Sequence, residues 1–230
     1  MKLKSIFSID AWDILSAKSF KNAKIKMFFR TYFYNGDWQA KWLGEDVWKQ
    51  PLDLWLYQEM ICEKKPDVVL EFGTWKGKSA KYFADICSMI GHGEVVTVDV
   101  NECDMEHPLV TKIVDKKGST DPEVVKQVHD KIQGKTCLMI LDSLHRADHV
   151  LNELRAYNDL CPVGWHIVVE DTIVAGNPVV PSWKKEYGCG GLLEGVNKFL
   201  KECDGKFERD RSAEKYFIHW ARKGFLKRVK

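Results

Sequence analysis

The chain has 230 residues, of which 45% are hydrophobic and 12% aromatic, and this is enough to bury one sizeable core without a second domain. Its 35 Lys and Arg residues against 33 Asp and Glu residues give a formal net charge of +2, so a general electrostatic attraction to nucleic acid is excluded. The sequence contains no apolar run of about 18 residues, so we expect no transmembrane segment or export signal. The seven cysteines are scattered and form no C-x-x-C pair, which is typical of reduced thiols and predicts a cytoplasmic protein.

Residues 1–40 mix basic and aromatic side chains, as in Lys24–Arg30 and Tyr32–Tyr34. We expect a helical or irregular segment that packs on the main domain or on a neighbouring subunit of a homo-oligomer. A basic amphipathic helix that touches a membrane or a partner is the alternative. Residues 41–230 then form the single folded domain.

Helical patterns and short apolar runs alternate from Leu52 onward. The predicted helices span 52–62, 78–90, 122–132 and 150–158, and the predicted strands span 68–70, 95–99, 137–141 and 166–169. The strands are mostly unbroken apolar runs, which is typical of strands buried on both faces. This alternation predicts an α/β fold, namely a Rossmann-like, doubly wound, mostly parallel sheet with helices on both faces. Ligands then bind at the carboxyl ends of the strands.

A glycine-containing turn, Glu71-Phe-Gly-Thr-Trp-Lys-Gly77-Lys-Ser79, follows the first predicted strand. A dinucleotide motif would need glycine where Trp75 stands, and a phosphate-binding loop would need glycine where Phe72 stands. The pattern acid-x-Gly-x-x-x-Gly fits without a mismatch and resembles the first motif of S-adenosylmethionine methyltransferases. By itself the turn leaves a purely structural role equally open, because strand-glycine-helix turns are common in α/β proteins.

An aspartate, Asp99, closes the second predicted strand, about 20 residues beyond Gly77. At that place a carboxylate can accept hydrogen bonds from both ribose hydroxyls of an adenosine. A solvated aspartate at a strand end is the alternative. The glycine turn and Asp99 together favour an adenosine-containing ligand.

Three acidic residues follow the last two predicted strands: Asp142 follows one, and Glu170 and Asp171 follow the other. Since the carboxyl ends of parallel strands meet at one edge of a sheet, these carboxylates should converge and repel each other. A hard divalent cation such as Mg²⁺, which takes oxygen ligands, relieves that repulsion. Capping of the following helices is the alternative. We predict a magnesium site, and nothing in the sequence favours zinc.

Two histidines lie in the loop and helix that follow Asp142. His145 is three residues beyond Asp142, within reach of a hydroxyl at the metal, and its ordinary pKa of ~6.5 suits a general base. A structural role for His145 is equally open. We predict His145 and Asp142 as catalytic residues, while His149 would orient His145 or pack.

With these motifs the chain resembles the cephalosporin hydroxylase and rhamnosyl O-methyltransferase family, from about Trp42 to Arg228. The motifs that carry the resemblance are Gln50-Pro-Leu-Asp-Leu-Trp55, Glu71–Ala80, Gly118–Val124, Leu141–His145 and Glu170–Thr172. The chain departs from the family at Trp75-Lys76 and at Gly188–Gly191.

This resemblance implies S-adenosyl-L-methionine as cofactor, bound against the glycine turn, with Mg²⁺ beside it. The residues that it places at the cofactor are Glu71, Gly73 and Gly77 in the turn, Asp99 on the ribose and Ser119 beside the adenine. We predict that Thr74 and Ser79 of the same turn also bind the cofactor. It places Asp142, Glu170 and Asp171 on the metal.

The function predicted from the residues and the resemblance is Mg²⁺-assisted O-methyl transfer from S-adenosylmethionine. The expected acceptor is a hydroxyl of a sugar, of a glycosyl group or of a small secondary metabolite, as in carbohydrate or antibiotic modification. Two alternatives stay open. One is an ATP-using enzyme that exploits Gly77-Lys-Ser79 and Asp142, and the other is a non-catalytic binding module that retains the cofactor fold.

Overall fold

The computed structural model describes residues 27–29, 31–32, 40–173 and 191–230. The chain divides into two units, Met1–Trp38 and Gln39–Lys230. In the first unit the described residues are helical, and the ring of Phe28 stacks on that of Tyr32 with centroids 5.6 Å apart. The rest of the predicted segment 1–40 lies outside the described residues, apart from residue 40, and its proposed boundary stays a prediction.

The second unit begins with an antiparallel hairpin and continues as alternating helices and strands. The hairpin is β1 (Ala40–Trp42) and β2 (Glu45–Val47). The elements that follow are α1 (Pro51–Lys64), β3 (Val68–Phe72), α2 (Lys78–Ile90), β4 (Glu94–Asp99), β5 (Val110–Val114), α3 (Pro122–Ile132), β6 (Cys137–Leu141), α4 (Ala147–Tyr157), β7 (His166–Val169), α5 (Gly191–Glu202), β8 (Phe207–Arg209) and β9 (Phe225–Arg228).

Two of the helices begin at a proline preceded by a polar cap. The Gln50 side chain accepts a hydrogen bond from the backbone N–H of Asp53 at 3.0 Å, and Asp121 accepts one from that of Glu123 at 2.9 Å. A proline stands at the start of both α1 and α3. The backbone N–H at that position has no partner within a helix, so its absence from proline costs no hydrogen bond. These local signals explain why both helices begin where the sequence predicted, to within a residue.

One seven-stranded sheet forms the centre of the unit, in the order β5-β4-β3-β6-β7-β9-β8. The strands β3 to β7 pair in parallel, whereas β9 is antiparallel to both β7 and β8. Chain order runs outward in opposite directions from β3 and β6, so a crevice opens at the carboxyl ends of these two strands. The predicted doubly wound, mostly parallel fold is confirmed.

Helices cover both faces of this sheet, because alternate residues of each strand point to opposite sides. One face packs against α1 and α2, through side chains such as Tyr57, Ile61, Phe83 and Ile86. The other face packs against α3, α4 and α5, through side chains such as Val128, Leu154, Tyr157 and Phe199. The sequence did not predict β1, β2, β5, α5, β8 or β9.

Among the residues that the structure describes, no helix combines the length and apolar character that a membrane crossing requires. Six cysteines are free thiols: Cys62, Cys87, Cys103, Cys137, Cys161 and Cys203. Cys189 and the sequence departure at Gly188–Gly191 lie outside the described residues, apart from Gly191 itself.

Candidate active site

Backbone hydrogen bonds join the carboxyl ends of β3, β6 and β7. The N–H of Asp142 donates to the carbonyl oxygen of Phe72 at 2.8 Å, and the N–H of Glu170 donates to that of Leu141 at 2.9 Å. The parallel pairing therefore continues one residue past the strands. It holds Asp142 and Glu170 at the crevice edge, as the sequence predicted from the strand ends.

The first glycine of the turn, Gly73, has a positive φ of +99°. A Cβ at this position would lie 2.0 Å from the carbonyl oxygen of Asp142, so no side chain fits. From the sequence we expected this glycine to allow the close approach of a cofactor. The structure adds a second reason, which is the packing of the turn against the end of β6.

The second glycine, Gly77, precedes α2 with a φ of +72°, and a Cβ there would lie 2.6 Å from the Cβ of Met105. The next residue, Lys78, pairs its ammonium with Glu45 of the hairpin. A phosphate-binding loop would direct this lysine at a phosphate. The arrangement gives no support to the ATP-using alternative.

Glu71 on β3 is fully buried beneath the turn. Thr97 donates to Oε2 of Glu71 at 3.3 Å, and the Thr97 and Thr74 hydroxyls lie 2.6 Å apart. Burial raises the pKa of Glu71 to about 7, although Lys49 and the Ser79 hydroxyl oppose the shift. Its Oε1 has no hydrogen-bond partner among the described residues. A buried acceptor of this kind suits a donor group of a ligand, such as an amino group.

Asp99 lies beside the same turn. Its Oδ2 accepts from the backbone N–H of Trp75 at 2.8 Å, and its Oδ1 accepts from that of Asn101 at 2.9 Å. The exposed ring of Trp75 meets Trp48 edge to face, with centroids 5.0 Å apart. The structure therefore brings Asp99 together with the glycine turn, as the ribose role requires.

Asp142, His145 and Asp171 form a close group. One donor atom from each lies within 4.8 Å of the other two. The Nε2 of His145 is 2.8 Å from Oδ2 of Asp171, and about a fifth of each of these side chains is exposed. Asp171 itself adopts a left-handed backbone with φ +53°. The sequence predicted the two carboxylates as metal ligands and His145 as a base, but not that His145 would share the donor group.

The ion pair between His145 and Asp171 governs the pKa values of both groups. Burial alone would lower the pKa of His145, but Asp171 and Asp142 outweigh it and raise the pKa to about 9. Burial alone would raise the pKa of Asp171, but His145 outweighs it and lowers the pKa. In the metal-free protein His145 therefore carries a proton at neutral pH.

Glu170, the third predicted ligand, is not in this close group. It is buried, and its Oε1 accepts from the hydroxyl of Tyr57 and lies 3.5 Å from Nζ of Lys49. The same ammonium donates to Oδ2 of Asp142 at 2.5 Å. Burial raises the pKa of Glu170 to about 8, against the opposing effect of Lys49. Lys49 therefore bridges two of the three predicted ligands.

Ser119, predicted beside the adenine, belongs to a hydrogen-bonded cluster around Glu153. The carboxylate Oε1 of Glu153 accepts from the hydroxyls of Ser119 at 2.5 Å and Ser143 at 2.7 Å. The Nε2 of His149 lies 3.1 Å from the same oxygen. His149 thus contacts the Ser119 cluster.

Sequence reasoning missed Lys49, Tyr57 and Glu153. Glu153 follows His149 by four residues on α4, so helical spacing would have placed the two side chains on one face. Lys49 directly precedes the motif Gln50–Trp55, and Tyr57 follows it. No local spacing connects either residue with Asp142 or Glu170.

A buried pair next to these residues joins α1 to the segment before β9. Oδ1 of Asp53 on α1 lies 2.5 Å from Nδ1 of the buried His219.

The donor set fits a hard divalent cation. Asp142 and Asp171 offer carboxylate oxygens to one point, and the imidazole of His145 is the only nitrogen in the group. No cysteine belongs to it. Oxygen-rich sets of this kind suit Mg²⁺ better than zinc.

The fold and this site define a class, the α/β methyltransferases, with a glycine turn after one central strand and acidic residues after the neighbouring strands. Comparison with known proteins narrows the assignment. The sequence profile described as Rhamnosyl O-methyltransferase/CmcI matches residues 32–229. A Rhamnosyl O-methyltransferase of Mycobacterium tuberculosis (strain ATCC 25618 / H37Rv) is 33% identical over 216 residues, which cover 89% of this chain and 85% of the relative. A Rhamnosyl O-methyltransferase from Mycobacterium leprae (strain TN) is 33% identical over 209 residues, which cover 86% of this chain and 88% of the relative.

The chain belongs to the Rhamnosyl O-methyltransferase/CmcI family, as the sequence motifs predicted. It is an S-adenosylmethionine-dependent O-methyltransferase, the activity class of that family.

Solved structures show the same fold. A CmcI structure described as D160 with Mg and SAM superposes with a TM-score of 0.62 at 18% identity, covering 83% of this chain and 77% of that one. MycE, a methyltransferase from the mycinamycin biosynthetic pathway in complex with Mg and SAH, superposes with a TM-score of 0.52 at 16% identity, covering 87% and 54%.

Proposed function

We propose that this enzyme methylates a hydroxyl of a glycosyl group or of a small secondary metabolite, and that its site holds Mg²⁺ beside the methyl donor. The observation that carries the proposal is the convergence of Asp142, His145 and Asp171 at the edge of the sheet that also holds the glycine turn. The rhamnosyl acceptor named for the mycobacterial relatives supports a sugar hydroxyl.

In this proposal the glycine turn binds the amino-acid end of S-adenosylmethionine. The unpaired Oε1 of Glu71 accepts from the amino group, while Gly73, Thr74, Gly77 and Ser79 surround that end. The Asp99 carboxylate takes the ribose hydroxyls. Ser119, supported by Glu153, lies beside the adenine.

A divalent cation on Asp142 and Asp171, with Glu170 as the third carboxylate, would supply the positive charge that lowers the pKa of an acceptor hydroxyl. His145 accepts the proton of that hydroxyl. In the metal-free protein the ion pair with Asp171 keeps His145 protonated, so Asp171 must release the imidazole before it acts as a base.

The methyl transfer itself is a displacement. The acceptor oxygen forms a bond to the methyl carbon as the bond from that carbon to the sulfonium sulfur breaks. The electron pair stays on sulfur, which leaves S-adenosylhomocysteine as a neutral thioether. Holding the two reactants in line supplies the entropic part of the rate enhancement, worth ~7 kcal/mol or more.

The test is transfer of a labelled methyl group from S-adenosylmethionine to a panel of rhamnosides, other deoxyhexosides and phenolic compounds. We expect methyl ether formation on a glycoside, its loss with EDTA and its recovery with Mg²⁺. Full activity in EDTA, or in Asp171→Asn, would rule out the metal-assisted mechanism. Transfer to phenols alone would rule out the glycosyl acceptor and leave the methyltransferase activity intact.

We also propose a cytoplasmic location and a homo-oligomeric assembly. The six free thiols support a reducing compartment. Size-exclusion chromatography with light scattering tests the assembly, and a mass equal to the 26.6 kDa of one chain would contradict it.

A further inference from the structure

The Lys49 side chain occupies an unusual position for a lysine. Of the residues that the structure describes, it is the only Lys or Arg that is buried, with 2% of its surface exposed. It lies between β2 and the cap of α1, and its ammonium reaches across to the carboxyl ends of β6 and β7.

The contacts of this ammonium are with proposed metal ligands. It donates to Oδ2 of Asp142 at 2.5 Å and lies 3.5 Å from Oε1 of Glu170. A buried cation is retained in a protein when paired carboxylates compensate for its lost hydration. Conversely, the ionised carboxylates of Asp142 and Glu170 would repel each other without the ammonium.

A divalent cation at the proposed site would compete with the Lys49 ammonium for the carboxylate oxygens of Asp142 and Glu170. An ion on Asp142 shares a carboxylate that already accepts from Lys49, and two positive charges a few ångströms apart repel strongly where water is excluded. The ammonium is tethered to the backbone, and nearly all of the Lys49 side chain is buried.

We propose that Lys49 is a built-in counter-ion of the metal site, which holds Asp142 and Glu170 together in the metal-free enzyme and thereby weakens Mg²⁺ binding. This inference rests on the metal site under the proposed function. It makes Lys49 a positioning residue that sets the metal affinity.

The experiment is a titration of the metal-free protein with Mg²⁺ alone, followed by calorimetry and by the shift of the melting temperature. In Lys49→Met, which removes the charge and keeps the apolar stem, we expect Mg²⁺ to bind about tenfold more tightly or better. The metal-free variant should melt at a lower temperature than the parent, and Mg²⁺ should raise its melting temperature more. Lys49→Arg, which keeps the charge, should stay within a few-fold of the parent affinity.

A matched control is Lys135→Met, because Lys135 pairs with Glu94 at 2.8 Å at the opposite edge of the sheet. Its Mg²⁺ affinity should equal that of the parent. Should Lys49→Met fail to fold without metal, folding on addition of Mg²⁺ supports the inference, and Lys49→Gln provides the affinity measurement.

Two outcomes separate this inference from the metal site itself. Parent and charge-removing variants that bind Mg²⁺ equally, or variants that bind it less tightly, overturn the counter-ion role and leave the metal site in place. If neither the parent nor any variant binds Mg²⁺ while S-adenosylhomocysteine binds normally, the metal site fails and the counter-ion role fails with it.

Discussion

The backbones of Gly73 and Asp142 are in direct contact at the crevice. A Cβ on Gly73 would lie 2.0 Å from the carbonyl oxygen of Asp142. Gly73 belongs to the proposed cofactor turn, and Asp142 is a proposed metal ligand. Since the N–H of Asp142 also donates to the carbonyl oxygen of Phe72 at 2.8 Å, the two strand ends form one packed unit. A change in one of these regions should therefore reach the other.

The first prediction follows from that contact. Gly73→Ala should destabilise the protein by about 3 kcal/mol, because the methyl group collides with backbone and the left-handed conformation is strained. It should also weaken S-adenosylhomocysteine binding. Urea unfolding and calorimetry measure the two effects.

Gly91→Ala is the control, since Gly91 also has a positive φ of +65° but no atom lies within 4 Å of its Cβ position. We expect a loss of about 1 kcal/mol there. Equal losses in the two variants would show that the contact with Asp142 does not constrain the turn.

The second prediction concerns Asp99. Asp99→Ala should weaken S-adenosylhomocysteine binding about 30-fold or more, because two charge-assisted hydrogen bonds to the ribose are lost. Isothermal titration calorimetry measures the affinity. The matched control is Asp67→Ala, which should leave this affinity unchanged. Asp67 also accepts a hydrogen bond from a backbone N–H, that of Thr136 at 2.8 Å, but it lies at the opposite edge of the sheet. Unchanged affinity in Asp99→Ala would remove the ribose role.

The third prediction concerns His145 as the base. His145→Gln should lower the turnover number by about 10²- to 10⁴-fold, the usual contribution of a general base, while cofactor affinity stays nearly unchanged. Once Asp171 has released the imidazole, its pKa should return toward the ordinary ~6.5, so the rate of the parent should fall as the pH drops below that value. Steady-state kinetics across pH, with calorimetry for the cofactor, provide both measurements.

His92→Gln is the control for His145, because His92 lies at the amino edge of the sheet beside Asp67, with 42% of its side chain exposed. Its turnover should match that of the parent. A turnover number of His145→Gln within a few-fold of the parent would make His145 structural and move proton removal to another group.

The fourth prediction is a pH dependence of stability at His166. The ring is buried, its Nε2 lies 2.8 Å from Oδ2 of Asp210, and its Nδ1 has no partner among the described residues. Burial lowers the pKa of His166 although Asp210 opposes the shift. The unfolded chain therefore takes up the proton first, and the contribution to stability is lost as the pH falls below ~6.5.

Between pH 7.5 and 5.5 we expect the parent to lose stability through this group, and His166→Gln to lose less over the same range. Asp210, with its pKa lowered to about 2, stays charged throughout and does not contribute. Urea unfolding at both pH values gives the comparison. The same pH-dependent loss in both proteins would mean that His166 titrates alike in the folded and unfolded chain.

Much of the fold could be read from local patterns. The buried strand β6 is an unbroken apolar run, and β3 and β7 are apolar except for Glu71 and His166, as is typical of strands buried on both faces. By contrast, β5 at the sheet edge is half-buried, and the polar Thr111 and Lys112 interrupt its apolar pattern. The helix α5 carried an available signal, since Leu192, Val196 and Phe199 recur at helical spacing.

The sequence by itself determined the family, the glycine turn and the acids at the strand ends, because each of these is a pattern within a few neighbouring residues. Only the tertiary structure decided which side chains each of those acids contacts. His145 joins Asp142 and Asp171, while Glu170 turns to Tyr57. Lys49 reaches Asp142 across 93 residues of sequence. No local spacing encodes such a contact, since the packing of α1 on the sheet creates it.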